Sequence, residues 1–529
     1  MEERKSKKCS PKNTCANCLK PEGSDGAPKL SACARCGLVV YCSRECQRAH
    51  WKANHKQRCV ANADRVPQKL HPRKDDNASK AAAAGEKCSI CLDPLADASA
   101  ATLECNHVFH VTCVTELRKL GVKQACPLCR TPLPPGPDKL YEEAALRFMF
   151  VYQLVMRGKA SWSALPANAQ HELDAAVAGC RTAADQGLAE AQFTLGSLFE
   201  DGRGVEQSFV EAVRWCTKAA DQGHDEAQFF LGVRFKNGEG VAQSDVTSVY
   251  WYRKAAEQGH VDAQYYLGSM FDEGHGVAQS DKETVRWWKK AGDKGHADAQ
   301  YNVGKHFRDG RGVAQNDSEA VRWWKKAADQ GHADAQHNLG VSFKMGCGVA
   351  QSDVEAVRWW SKAAKQGLAE AQCYLGRMYF GGTGVLRSEV EAVQWWKKAA
   401  EQENVRAQFY LGLMFKDGCG VMQSDKEALR WWQKAADHKD AEAQCNLGVL
   451  FEEGCGVAHS DAEAVRWFKK SAEQGFMEAQ YKLGCMLQNG RGVKHRKSDA
   501  LRWFTKAAEQ GHQQAKANLR LFLKTLDNK

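Results

Sequence analysis

Nowhere in its 529 residues does the chain hold an apolar run long enough to span a membrane. The opening stretch MEERKSKKCS is charged and leads into no apolar segment, so no secretory signal is expected. The closing LKTLDNK fits neither a prenylation nor a retrieval signal. These absences make the cytosol, the nucleus or both the expected compartment. Reducing conditions there disfavour a disulfide framework, so 22 cysteines need another explanation. Wholesale disorder is excluded as well, because 43% hydrophobic and 26% charged residues is globular composition. The length exceeds one ordinary core and implies several domains or a repeat array.

The cysteines are unevenly spread. Thirteen fall into two tight clusters before residue 130, at spacings that suit metal. Nine others (Cys9, Cys180, Cys216, Cys347, Cys373, Cys419, Cys445, Cys455, Cys485) stand singly and read as small buried hydrophobes or tolerated loop residues. The formal charge is +10, and residues 1–60 hold 13 Lys/Arg against 5 Asp/Glu, a net of +8. Such a module can attract nucleic acid or acidic partners. Nothing in it resembles a nucleic-acid reading helix, and solvated lysine around a metal-stapled module accounts for the charge. Nucleic acid is therefore not an expected partner.

From residue 188 onward the chain repeats itself. Glycine recurs at 196, 232, 268, 304, 340, 376, 412, 448 and 484, a strict 36-residue period, behind leucine everywhere except Val303. Ala-Gln, Gly-x-Gly-Val and a tryptophan recur in step, the last from Trp215 to Trp503. Nine full units run from Leu188 to Gly511, with a half unit before them and another after. Each reads as two helices. In the unit from Gly259, residues Ala263, Tyr266, Leu267, Met270 and Phe271 form one apolar stripe. Gly274 and Gly276 break that helix, and Ser280 with Glu283 makes a capping box for the second. The same Ser-x-x-Glu opens helices at Ser208, Ser352, Ser388, Ser424 and Ser460.

These residues resemble the Sel-one-like repeat family, relatives of the tetratricopeptide repeat. The resemblance implies a right-handed solenoid of helix pairs, and a lone pair could not bury its own apolar faces. Fourteen of 16 tryptophans occupy the paired aromatic positions. The first of each pair is expected to pack between helices, and the more varied second to be partly exposed. His260, His296 and His332 stand alone in their units and read as helix-start residues rather than metal ligands. The array carries no catalytic signature and reads as a protein-binding scaffold.

Ahead of it, Cys15, Cys18, Cys33, Cys36, Cys42, Cys46, His55 and Cys59 supply eight ligands, enough for two closed tetrahedral zinc sites. Their order, with YCS, CQ, a tryptophan and a His-Cys ending, resembles the MYND zinc finger. That resemblance implies interleaved pairs: Cys15, Cys18, Cys42 and Cys46 on one ion, Cys33, Cys36, His55 and Cys59 on the other. Three residues rather than the commoner two separate Trp51 from His55, which leaves His50 as a rival ligand. Modules of this family bind short proline-containing peptides; the alternative is a stapled domain without a peptide pocket.

A second cluster comprises Cys88, Cys91, Cys105, His107, His110, Cys113, Cys126 and Cys129, at intervals of 2, 13, 1, 2, 2, 12 and 2 intervening residues. It resembles the RING finger with two central histidines. The resemblance implies a cross-brace, with Cys88, Cys91, His110 and Cys113 on one zinc and Cys105, His107, Cys126 and Cys129 on the other. It also implies docking of a ubiquitin-conjugating enzyme on Ile90, Leu117 or Leu120, and Pro127. Arg130 stands where active members carry a cation that bonds both ubiquitin and the enzyme, a task suited to its planar fork. Four zinc ions are expected in all, two per finger.

The expected organisation is mainly α. A basic tail (1–14) precedes the MYND-type finger (15–59), a flexible linker (60–86) and the RING-type finger (87–131). A proline-rich spacer and helical cap (132–187), nine repeats (188–511) and a terminal half repeat (512–529) follow. The expected function is a RING-type ubiquitin ligase with Ile90, Pro127 and Arg130 as its working residues. Its solenoid would recruit protein substrates or adaptors. The alternative is a non-catalytic zinc-binding scaffold.

Overall fold

The structure, a computed structural model, describes residues 31–32, 40–41, 88, 100–103, 105, 107–110, 113–114, 125–126, 128–131 and 135–527. Two compact units divide the chain, Met1–Ser244 and Asp245–Lys529.

In the first unit, strand Ser31–Ala32 pairs antiparallel with Val40–Tyr41. Strand Ala100–Thr102 pairs antiparallel with Val108–His110 in the register Ala100↔His110, Ala101↔Phe109, Thr102↔Val108. Helix Pro137–Met156 then packs against Ala167–Asp185. The segment before the first repeat is therefore a helix pair, the expected helical cap followed by the expected half unit. Pro137 opens the first of these helices, a position where its missing N–H costs nothing. Helices Ala189–Asp201, Phe209–Asp221 and Asp225–Asn237 complete the unit.

Sixteen helices make up the described second unit, from Asp245–Gln258 to Gln513–Asp527, consecutive helices packing on one another. No proline follows Pro166, so nothing removes an N–H from any of these helices. Helix Val261–Glu273 ends on Gly274 at φ 73°, in the left-handed region that glycine enters without penalty. The chain turns, and the N–H of Ser280 donates to the Phe271 carbonyl at 2.9 Å. The Ser280 hydroxyl then accepts from the Glu283 N–H at 3.4 Å and starts the next helix. Ser352, Ser388, Ser424 and Ser460 act alike, and Asn316 takes the same role.

The recurring histidines are helix starts, as expected. Nδ1 of His260, His296 and His332 accepts the N–H three residues on, at 3.2, 3.2 and 3.3 Å. Nε2 of His296 and His332 lies 3.6 and 3.2 Å from Asp262 and Asp298, one repeat earlier.

The second aromatic of each pair is not exposed. Trp288, Trp324, Trp360, Trp396 and Trp432 are buried, and Tyr252 and Phe468 are fully so. The reason lies in the invariant glycine of the preceding helix. A Cβ added to Gly268 would lie 2.5 Å from Trp288 Cδ1, and the indole N–H donates to the Tyr265 carbonyl at 2.9 Å. The variation at this position is a choice of core filler against bare helix backbone. The first tryptophan is buried in most repeats and half-buried at Trp395 and Trp503, with a lysine ammonium over its outer face, as Lys290 lies 3.9 Å from the Trp287 ring centre.

A second seam is polar. The glutamine of each Ala-Gln is buried, and its amide N–H donates to a carbonyl eight residues back, as Gln300 does to Gly292 at 2.7 Å. Its amide oxygen accepts from a glutamine thirty residues on: Gln330 to Gln300 at 2.8 Å, Gln366 to Gln336 at 2.9 Å, Gln402 to Gln372 at 2.9 Å, Gln474 to Gln444 at 2.8 Å. Position 294 holds lysine and position 438 histidine. There the buried amide oxygens of Gln264 and Gln408 have no hydrogen-bond partner among the described residues.

Candidate metal centre

The hairpin Ala100–Thr102/Val108–His110 sorts the ligands of the second cluster. Its tip is closed by the Leu103 N–H donating to the His107 carbonyl at 2.8 Å, so Cys105 and His107 stand at one end. His110 stands at the other end, opposite Ala100. A histidine two residues into one strand is thereby separated from the pair at its tip.

Two clusters result. The ligand atoms of Cys105, His107, Cys126 and Cys129 all lie within 4.8 Å of one another, and so do those of Cys88, His110 and Cys113. His107 turns Nδ1 inward, 3.4 Å from Cys105 Sγ and 3.6 Å from Cys126 Sγ. The first set holds four residues assigned together from the sequence. The second holds three, their expected companion Cys91 lying outside the described residues. Ile90, Leu117, Leu120 and Pro127 also lie outside them, as do His50 and the eight candidate ligands Cys15, Cys18, Cys33, Cys36, Cys42, Cys46, His55 and Cys59.

The donor set suits zinc, whose tetrahedral sites take sulfur and imidazole nitrogen. Burial pushes the Cys126 thiol up to about 12. Burial also raises Cys129, but hydrogen bonds from the Thr131 side chain and backbone, with those from Cys105 and Cys126, outweigh it and bring Cys129 to about 6. Thiols this close cannot all ionise unaided, and a dication removes that conflict by binding them as thiolates. The apolar core available is small: Cys88, Leu103, Val108, Phe109, Cys113, Val114 and Cys126. All of these but Leu103 are ligands or next to one in sequence, so metal binding and folding are coupled here.

Arg130 sits directly behind this cluster. It is exposed, its N–H donates to the Cys126 carbonyl at 2.9 Å, and Cys126 in turn donates to the Thr131 carbonyl at 2.7 Å. These two bonds fold the chain over Cys129 and set Arg130 at φ 64°, in the left-handed region. Spacing carries no signal of that backbone state.

Outside the finger, Asp272, Asp281 and His306 also cluster. The guanidinium of Arg311 already fills the space, 2.9 Å from Asp272 and 2.7 Å from Asp281. Among the scattered cysteines, Cys180, Cys216, Cys373 and Cys445 are buried, whereas Cys347 is exposed and Cys419, Cys455 and Cys485 are half-buried.

Stacked 36-residue helix pairs behind small cysteine–histidine modules define a helical-repeat protein with zinc fingers. Nine segments between residues 189 and 512 match the Sel1 repeat, and the chain belongs to that family. Residues 15–59 match the MYND finger and residues 86–130 the RING finger domain. The crystal structure of c5321, a protective antigen of uropathogenic Escherichia coli displaying an SLR fold, is similar at 32% identity and a TM-score of 0.65. That likeness covers 73% of this chain and 82% of the other. Among curated proteins, the RING-H2 finger protein ATL40 of Arabidopsis thaliana is 39% identical over 62 residues, 11% of this chain and 28% of that one. The human tripartite motif-containing protein 26 is 48% identical over 46 residues, 8% of each. The chain thus spans well under a third of the curated relatives it matches.

Proposed function

We propose that the protein is a RING-type ubiquitin ligase whose repeats bring its protein substrates or adaptors. The observation that carries this reading is the exposed Arg130, fixed by backbone hydrogen bonds against a four-ligand cluster in a RING finger domain. Bound zinc supplies folding energy to such closed four-ligand sites rather than a reactive position. The chemistry is positional: Ile90, an apolar residue at 117 or 120, and Pro127 dock the conjugating enzyme. Arg130 donates to enzyme and ubiquitin together and holds the thioester in a reactive pose. We assign Cys91 to the cluster of Cys88, His110 and Cys113, and the eight MYND ligands to two further ions, four zinc in all. The MYND finger takes proline-containing peptides, and the protein works in the cytoplasm, the nucleus or both. No described helix is long and apolar enough to cross a membrane.

The test is discharge of ubiquitin from a panel of loaded conjugating enzymes by the full-length, zinc-loaded chain. Discharge to free lysine by at least one enzyme is expected. None from any enzyme, with zinc bound, leaves the protein as a non-catalytic scaffold.

A further inference from the structure

Helix Pro137–Met156 has two apolar faces, and only one of them is covered. On the inner face Ala144 and Val151 are buried against Ala167–Asp185. On the outer face Leu146, Met149, Phe150 and Met156 are 72%, 51%, 44% and 67% exposed. At about 3.6 residues per turn these four fall on one stripe with Glu142, Gln153 and Arg157, opposite Ala144 and Val151. Helices further along pack between one before and one after, as Val261–Glu273 does between Asp245–Gln258 and Asp281–Asp293. Among the described residues no helix precedes Pro137–Met156. Five of the 16 exposed large hydrophobics lie on this one helix, so the stripe is a patch rather than the scattered single residues of an ordinary surface.

The two ends of the stripe are oppositely charged. Glu142 and Glu143 stand before Leu146, Arg157 and Lys159 stand after Met156, and all four are exposed. Glu143 has Lys139 at 3.9 Å, whereas Glu142 and Arg157 make no ion pair among the described residues. The helix dipole favours an acid early and a base late, but it gives no reason for the apolar residues between them. A second copy of the helix, turned end for end, does. About a two-fold axis between Met149 and Phe150, Glu142 of one copy faces Arg157 of the other, Leu146 faces Gln153, and Met149 faces Phe150. With the two helices parallel, Glu142 would meet Glu142 and Arg157 would meet Arg157. The face is thus self-complementary in the antiparallel sense, as an isologous two-fold interface requires. A lipid surface suits it less well: helices that lie on membranes are rimmed with lysine and arginine, and Glu142 and Glu143 flank this stripe.

We propose that the outer face of Pro137–Met156 is the interface of a two-fold dimer of this chain, with the two copies of the helix antiparallel. Leu146, Met149, Phe150 and Met156 form its apolar centre, and a Glu142–Arg157 pair closes each end. The inference stands whether or not the chain transfers ubiquitin.

Sedimentation equilibrium of the full-length, zinc-loaded chain, from nanomolar to high micromolar protein, tests it. A mass that rises with concentration to twice that of the chain is expected. Met149→Glu should hold the mass at one chain over the same range, with helicity unchanged. Leu386→Glu, at an exposed apolar residue in a loop of the array, should leave association as it is. Glu142→Arg and Arg157→Glu should each weaken the dimer about tenfold, since each turns two opposite-charge pairs into like-charge pairs. An equimolar mixture of those two variants should recover wild-type affinity, because both contacts in the mixed dimer again join opposite charges. A wild-type chain that stays monomeric overturns the proposal, and binding of that monomer to phosphatidylcholine–phosphatidylserine vesicles would assign the face to a membrane instead. A dimer that survives Met149→Glu, or a mixture no tighter than its components, also overturns it.

Discussion

Arg130 occupies a backbone region that costs a non-glycine residue roughly 1–2 kcal/mol, with φ 64°. Glycine would sit there more easily, so Arg130→Gly removes the side chain without threatening the turn over Cys129. The repeat glycines make the opposite case. In Gly268→Ala the new methyl meets Trp288 Cδ1 at 2.5 Å and Nε1 at 2.6 Å, inside any normal contact. Helix propensity favours alanine by about 1 kcal/mol, yet overpacking against a buried indole costs about 1–3 kcal/mol. Gly268→Ala should therefore destabilise the array in a urea titration; a gain in stability would show that the indole moves aside freely.

Between elements, the glutamine seam supplies the clearest energetic argument. Gln366 bonds both Gln336 and the Gly331 carbonyl, at 2.9 and 2.8 Å, so one side chain serves two acceptors across a repeat boundary. Lys294 reaches the corresponding Gly259 carbonyl, at 2.6 Å, and the Gln264 amide oxygen is left buried without a partner among the described residues. Lys294→Gln can keep the first bond and add the second. It should stabilise the protein by about 1 kcal/mol, the net worth of a buried hydrogen bond. Urea unfolding checks this, and a loss of stability would mean that the lysine has a role beyond that carbonyl. The same seam sets the limits of sequence reading at this scale. The 36-residue period, the glycine stops and the Ser-x-x-Glu starts were legible because each is a local rule of helix ends. The seam was not, because it joins residues thirty apart whose types look ordinary in isolation. The aromatic position fared likewise. Its variation suggested exposure, but only packing against Gly268 and its counterparts reveals that every version is core.

At the scale of the whole molecule, the proposed function divides its two tasks, catalysis and recruitment, between different kinds of structure. Among the described residues of the finger seven buried ones form a core, and its clustered cysteine and histidine ligands tie folding to a metal ion. The repeats depend on neighbour packing alone, as nearest-neighbour arrays do. The ligand groups of the second finger were expected from the RING resemblance, and the hairpin gives the physical reason for the described ones, with Cys105 and His107 at its tip and His110 at its foot. The turn that poses Arg130 was not readable, because a positive φ on arginine leaves no trace in residue type. The position of Arg130 is thus a backbone feature laid beside a cysteine–histidine cluster.

The measurement that bears most directly on this account is single-turnover ubiquitin discharge by full-length protein carrying Arg130→Gly, beside wild type and Arg130→Lys, with zinc content and helicity recorded for each. One charge-assisted hydrogen bond made in the reactive complex is worth about 1.5–3 kcal/mol, or ten- to a hundredfold in rate. A loss of that size is expected for glycine and a smaller one for lysine, at unchanged zinc content. Discharge by Arg130→Gly at the wild-type rate would contradict it.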